Sequence, residues 1–254
     1  MSNTLQQKLI NYLLPFADKA NIADVRIGLG YTTVRLDDGN IGLSWTAKRT
    51  TGGCTHETKA GTLGGRPAVE LLMMLANITN PLARSIGLAT ANALIAALPR
   101  QQSSREDVLS IVNITLADHV AMVGYFGPLV PVLKQTGCKL EIIELESDHQ
   151  GTLTPEEGRA SLANCSVAIL TATSIVTGTY DELLSDLGNP RAVVVLGPSS
   201  PLCSHVFAGT PVTHIAGARI RDAAAVEKIV SEGGGTQILK QYVDFEVISC
   251  NSTL

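Results

Sequence analysis

Two Cys-x-His pairs stand in this chain, Cys54-Thr55-His56 and Cys203-Ser204-His205, with Glu57 beside the first. Thiolate, imidazole and carboxylate groups suit zinc or another divalent transition metal, and two Cys with two His would close a tetrahedral site. Cys54 and His56 are therefore candidate metal ligands. The competing reading is a half-buried cysteine and a surface histidine in each pair. Neither a C-x-x-C nor an H-E-x-x-H motif occurs.

A second kind of chemistry is suggested by three short loops that each leave an apolar run. They are Gly124-Tyr125-Phe126-Gly127-Pro128, Thr171-Ala172-Thr173-Ser174 and Gly197-Pro198-Ser199-Ser200-Pro201. Glycine lets backbone amides approach a ligand, and Ser and Thr hydroxyls bind oxyanions. Short strand-to-helix turns also need Gly, Pro and Ser for purely structural reasons. A dinucleotide loop would need G-x-G-x-x-G and an acid about 20 residues on. The acid is there as Glu144, but Gly124 and Gly127 form only G-x-x-G, and Pro128 lacks an amide proton. Glu144 could accept from ribose hydroxyls, ligate a metal or bind an amine. Asn92 lies in a helix of small apolar residues, ATANALIAAL, and a buried amide needs partners. It either fastens that helix or points into a cleft. Arg35, Lys59 and Arg66 could bring positive charge there.

These residues need a scaffold. Leu5, Leu9, Leu13 and Leu14 recur at helical spacing, so a helix is expected over 4–14, limited by Pro15. VRIGLGYTTVRL, the turn Asp37-Asp38-Gly39-Asn40 and IGLSWTA read as a hairpin. Residues 49–66 are a polar, glycine-rich loop. Pro67 and Pro81 open helices, the second lined with small residues (Ala83, Ser85, Gly87, Ala89, Ala91) that favour close packing. Residues 99–107 form a linker. Beyond it, continuous apolar strands alternate with helices, which predicts a parallel sheet covered on both faces and Rossmann-like in its crossovers. The two domains are expected at 1–104 and 105–254. His119 should start the first strand, away from the ligand edge, His214 lie in a strand and His149 in a polar loop.

The stretches SIGLATANALI (85–95), DHVAMVGYFGPLVPVLK (118–134), IIELE (142–146), TATSIVTGTYDELL (171–184), VVVLGPSSPL (193–202) and AGARIRDAAAVEKIV (216–230) resemble, in order, a heavy-metal-chelation family of otherwise unknown function. The resemblance implies an α/β architecture, a Rossmann-like domain preceded by a smaller enolase-N-terminal-like α+β domain, with a cleft between them. It does not imply enolase chemistry, because the metal-binding barrel of that enzyme is missing and a fold alone does not carry a function.

The totals narrow the classes. With 254 residues, 45% hydrophobic and a net charge of −4, the chain can bury a large core and lacks the basic block of a nucleic-acid binder. Aromatic residues at 4% exclude stacking platforms for single strands. No run approaches a membrane span. Five scattered cysteines read as reduced thiols, hence a cytoplasmic protein. The leading expectation is a protein holding a small molecule, a metal or its chelate between the domains. Two alternatives stand beside it: an enzyme with a nucleotide-type cofactor, NAD(P) or adenosylmethionine, acting on a small anionic substrate, and a cleft that serves assembly. Small residues over 83–97 would allow a homodimer.

Overall fold

The computed structural model describes residues 4–48, 55–144 and 149–250. The chain is an α/β protein in which a small antiparallel sheet precedes a larger, mostly parallel one. The first helix, α1 (Leu5–Ala17), starts at Thr4, whose hydroxyl accepts from the Gln7 amide. It runs through Pro15 rather than stopping there. The carbonyl that loses its donor to that proline belongs to Asn11, an exposed residue, so the missing bond falls on the solvent side of the helix.

Residues 22–45 form three strands, not the two of a hairpin: β1 (Ile22–Ile27), β2 (Tyr31–Leu36) and β3 (Ile41–Trp45). The run that reads as one strand turns back at Gly28-Leu29-Gly30, and the Gly28 amide donates to the Tyr31 carbonyl. α2 (Ala68–Leu72) passes into a 3-10 turn over Met73–Ala76. Asn80 caps α3 (Pro81–Ala97). The small residues of α3 do meet a close neighbour, and it lies within this chain. A Cβ on Gly87 would stand 2.3 Å from the Leu75 amide nitrogen, and one on Gly42 of β3 2.1 Å from the Ala89 carbonyl oxygen. Ala83, Ala89 and Ala91 are buried, so this face is covered by the chain's own fold rather than left open to a second copy.

The second half runs α4 (Val108–Val112), β4 (His119–Val123), α5 (Leu129–Gln135), β5 (Lys139–Ile143), α6 (Pro155–Asn164), β6 (Val167–Thr171), α7 (Thr173–Thr177) and α8 (Tyr180–Ser185). It continues with β7 (Ala192–Leu196), β8 (His214–Ile220), α9 (Ala223–Ser231), α10 (Thr236–Leu239) and β9 (Val243–Ser249). The strand order is β5-β4-β6-β7-β8-β9, parallel up to β8 and closed by β9 as the antiparallel edge. The order reverses between β4 and β6.

Alternation along the strands divides the core. Val120, Met122, Val167, Ile169 and Val194 face one way, over α4 and α5. Ala121, Ala168, Leu170, Val193, Val195 and Ile215 face the other way, into the cluster that holds Leu9, Leu13, Leu71, Ile86 and Leu94. Segments 1–104 and 105–254 thus share one hydrophobic core. Polar bonds reinforce the contact. The Arg84 guanidinium donates to the carbonyls of Val176 and Thr177, Gln6 Nε2 to Ile175 (2.9 Å), and Arg35 pairs with Glu227 on α9 at 2.7 Å.

Candidate functional site

Ligands of open parallel sheets sit beyond the carboxyl ends of the strands. Here that edge carries two distinct groups of residues. The first is at the reversal between β4 and β6. Gly124 has φ +94°, and a Cβ there would stand 2.9 Å from Cβ of Thr171, so the β4 and β6 ends meet only because residue 124 is glycine. The Tyr125 amide donates to the Glu144 carboxylate, and the Tyr125 ring stacks on His149 with centroids 3.8 Å apart. Thr171 Oγ1 and Thr173 Oγ1 share a 3.0 Å hydrogen bond, and the Ser174 hydroxyl donates to the Thr171 carbonyl at 2.6 Å. Past Gly127, the amides of Leu129 and Val130 both donate to the Phe126 carbonyl. In this group the amides of Tyr125, Leu129 and Val130 and the hydroxyls of Thr171, Thr173 and Ser174 are bonded within the protein.

The second group encloses a cavity of about 220 Å³ beyond the ends of β7 and β8. Its other wall is the β2–β3 turn (39–43) and the last turns of α3. Asn92, Arg100, Pro198, Ser200, Arg219 and Arg221 line it. Three local features build this wall. The absent side chain of Gly42 lets β3 lie on the backbone of α3 beside Asn92. Gly197, at φ +133°, turns the chain out of β7. Ser199 then ties the two sheets together: its hydroxyl accepts from the Trp45 amide at 2.7 Å, and its carbonyl accepts from Asn92 Nδ2 at 3.1 Å.

The second Nδ2 hydrogen of Asn92 goes to the Leu43 carbonyl at 2.8 Å. That fixes which branch of the amide is oxygen, and Oδ1 is left buried with no donor. Ser200 is 2% exposed, and its Oγ is likewise buried without a partner. A buried polar atom left unsatisfied destabilises a fold by about 1–3 kcal/mol. Thr33 Oγ1 and Tyr180 OH are unpartnered as well, but Asn92 and Ser200 are the two whose residues line one cavity.

The cavity wall is cationic. Arg219 pairs at 3.2 Å with Glu246, which also accepts from Ser103. Arg221 pairs at 3.3 Å with Asp244, which Arg105 shares. Glu246 and Asp244 stand behind the wall rather than in it. Arg100 has no ion-pair or hydrogen-bond partner among the described residues. Sequence reasoning missed all three arginines, although Arg219-Ile220-Arg221 at a strand's end places both side chains on one side of the sheet. Arg35, Lys59 and Arg66 lie elsewhere: Arg35 bonds Glu227, Arg66 bonds Glu70, and Lys59 lines a separate hollow with Glu57.

The Cys-x-His pairs are not assembled into one site by what is described. Cys54 falls outside the described residues, and His56 is exposed. Cys203 is buried, and burial pushes its thiol pKa up, with a smaller opposing contribution from nearby hydrogen bonds. His205 stacks on Tyr12 at 5.4 Å and bonds Gln101 through Nδ1. No group of three or more His, Cys, Asp or Glu among the described residues is placed to hold a metal ion. His214 is half-buried at the start of β8, where its Nδ1 bonds Thr213 and burial lowers its pKa.

A family model described as "Putative heavy-metal chelation" (DUF364) matches residues 107–249. The chain belongs to the DUF364 family. A companion model of the same description (DUF4213) matches residues 10–95. The chain is 22% identical to an uncharacterized protein of Methanocaldococcus jannaschii over 226 residues, 86% of each. Two solved DUF364 structures, both of unknown function, superpose with a TM-score of 0.82. One is from Pyrococcus horikoshii, with 20% identity, covering 97% of this chain and 100% of that one. The other is from Desulfitobacterium hafniense, with 22% identity, covering 96% and 97%. At these identities the DUF364 structures establish the fold.

The family description names a metal, and the cavity's chemistry tests that. Its side-chain donors are the neutral amide oxygens of Asn40 and Asn92 and the Ser200 hydroxyl, beside three guanidinium groups, without thiol or imidazole. Soft and borderline cations prefer sulfur and nitrogen ligands, and arginines repel any cation. A bare metal ion does not fit this cavity.

Proposed function

We propose that this protein binds a small anionic molecule, or a metal enclosed in one as an anionic chelate, in the cavity between α3 and the carboxyl ends of β7 and β8. One observation carries the reading. Two unsatisfied buried polar atoms, Asn92 Oδ1 and Ser200 Oγ, are carried by residues that line a cavity whose charged residues are all arginines. A guanidinium offers a planar pair of N–H donors matched to a carboxylate. A metal arriving in a carboxylate chelate presents that outer surface, so the family's association with metals and the cationic wall are compatible. At about 220 Å³ the cavity is smaller than the ~300–1,000 Å³ of drug-sized sites and suits a compact metabolite.

Calorimetric titration of untagged protein with citrate, with zinc ion and with zinc citrate tests this. Citrate or its zinc complex is expected to bind, and Arg100→Ala to weaken that binding several-fold. Any response to zinc alone is expected to be indifferent to Arg100. If neither anion binds, or if Arg100→Ala and Arg219→Gln both leave the affinity unchanged, the assignment to this cavity is wrong.

A further inference from the structure

The hydrogen-bonding capacity of the cavity says more about its ligand than its charge does. Both amide hydrogens of Asn92 are spent on backbone carbonyls, Leu43 at 2.8 Å and Ser199 at 3.1 Å. The side chain therefore cannot rotate to offer a donor without breaking the link between β3 and the loop after β7. What it has left is Oδ1, an acceptor with no donor. An amide kept only to fasten α3 would be explained by its Nδ2 bonds. Ser200 adds a hydroxyl that can donate or accept and does neither.

A plain carboxylate answers the arginines but not Asn92. Its oxygens accept only, and set against Oδ1 they would add repulsion to an unmet bond. The ligand must carry an N–H or O–H donor beside its carboxylates. Arg100 decides between the two, since an ammonium group beside this unpaired guanidinium, with Arg219 and Arg221 already ion-paired, is repelled and a neutral hydroxyl is not.

We infer that the cavity selects a hydroxycarboxylate: its carboxylates meet the arginine wall, and its hydroxyl donates to Asn92 Oδ1 with Ser200 Oγ alongside. This rests on the cavity reading above and narrows it. A hydroxyl next to carboxylates also makes a compact metal chelator, which brings a metal into the cavity without any protein ligand.

Matched pairs of acids test the hydroxyl. Citrate and tricarballylate carry the same carboxylates and differ by one hydroxyl, as do malate and succinate. Aspartate puts an ammonium where malate has its hydroxyl. Calorimetry on the full chain is expected to show each hydroxy acid binding at least about tenfold tighter than its deoxy partner, with aspartate weaker than malate. Ser200→Ala should shrink the citrate-to-tricarballylate ratio without unfolding the protein, because its hydroxyl supports no bond in the free chain. Equal affinity within each pair overturns the hydroxyl inference and leaves the anion site standing. Tighter binding of aspartate than of malate overturns the neutral-donor argument. If none of the five acids binds, alone or with zinc, the anion site and this inference fall together.

Discussion

The two edges of the six-stranded sheet use nearly the same side chains to opposite ends. At the amino edge, Asp118 draws together the starts of β4, β6 and β7. It accepts from Arg191 Nε and Nη2 at 2.9 and 2.8 Å, from the Ser166 hydroxyl at 2.7 Å and from the Thr115 amide at 2.8 Å. Arg191 Nη1 goes on to the Val112 carbonyl at 2.8 Å. Next to it His119 bonds Glu141 at 2.6 Å, with Ser161 3.4 Å away. A Ser, a His and a Glu in contact look like catalytic apparatus, yet both contacts fall on the same ring nitrogen, Nε2, so no base is oriented by a second group. No buried side-chain nitrogen or oxygen there lacks a partner among the described residues. At the carboxyl edge, arginines, carboxylates, a serine and an amide again gather, and two of their atoms have nothing. Polar groups gather in both places; the unfilled bonds at the carboxyl edge are what the proposed ligand would satisfy.

The sharpest way to break the contrast is at Gly42. A Cβ there would lie 2.1 Å from the Ala89 carbonyl oxygen and 2.2 Å from the Ala93 amide nitrogen, so backbone must move on one side. Gly42→Ala is expected to destabilise the protein by about 3 kcal/mol and to abolish ligand binding, because it pries β3 from α3 beside Asn92. Chemical denaturation and calorimetry check both. Asp118→Ala should follow at about 2–3 kcal/mol, since it strands Arg191 and frees three strand starts. The bracing edge should not touch the ligand, so anion affinity of the folded variant should stay at the wild-type value. A parallel loss of affinity would mean the edges are not independent.

Acid separates them further. The Arg191 bonds hold Asp118 well below the ordinary aspartate range, and burial opposes them only in part. Burial pushes Glu141 up, but bonds from Ser161, Lys139 and His119 outweigh it and bring the group down to about 2. Both folded pKa values are depressed relative to the unfolded chain, so the unfolded state binds more protons as pH falls. Their stabilisation is complete above the unfolded values, near pH 4, and fades as pH drops toward about 2. The stability of Asp118→Asn, followed by denaturant melts between pH 5 and 2, should therefore fall less steeply than that of wild type.

Much of this scaffold is legible in the residues. The alternating apolar and helical segments after residue 107 give the mostly parallel sheet. The small residues of α3 announce a close neighbour, and Gly42 and Gly87 show how close. Asn92 could be named as a site candidate because a polar residue in an apolar helix is a local signal, and Ser200 because it lies in a hydroxyl-rich loop that leaves an apolar run. Their lack of partners is not local. It depends on where Leu43 and Ser199 bring their carbonyls, 49 and 107 residues away along the chain from Asn92. The arginines escaped for a similar reason: Arg100 lies in the stretch that reads as linker, and nothing local to Arg219 and Arg221 shows that β8 carries them to the wall. The Gly124 loop shows the same limit: its G-x-x-G spacing is legible in the residues, but the bonds from the Leu129 and Val130 amides to the Phe126 carbonyl are not.

Ser200→Ala is the smallest change and the one that separates binding from bracing most directly. At the amino edge, removing a hydroxyl removes a bond: Ser166→Ala should destabilise by about 1 kcal/mol, since it takes a donor from Asp118. At the cavity the sign reverses. Ser200 Oγ is buried and unpartnered, so removing it relieves an unmet desolvation, and the methyl that remains still packs. Ser200→Ala should raise the stability of the free protein by up to about 1 kcal/mol while it weakens binding of the hydroxycarboxylate. A gain in stability coupled to a loss in affinity is what a residue kept for its ligand shows. Thermal melts with and without citrate read both effects on one sample. A variant less stable than wild type would mean that Ser200 braces the fold as Ser166 does.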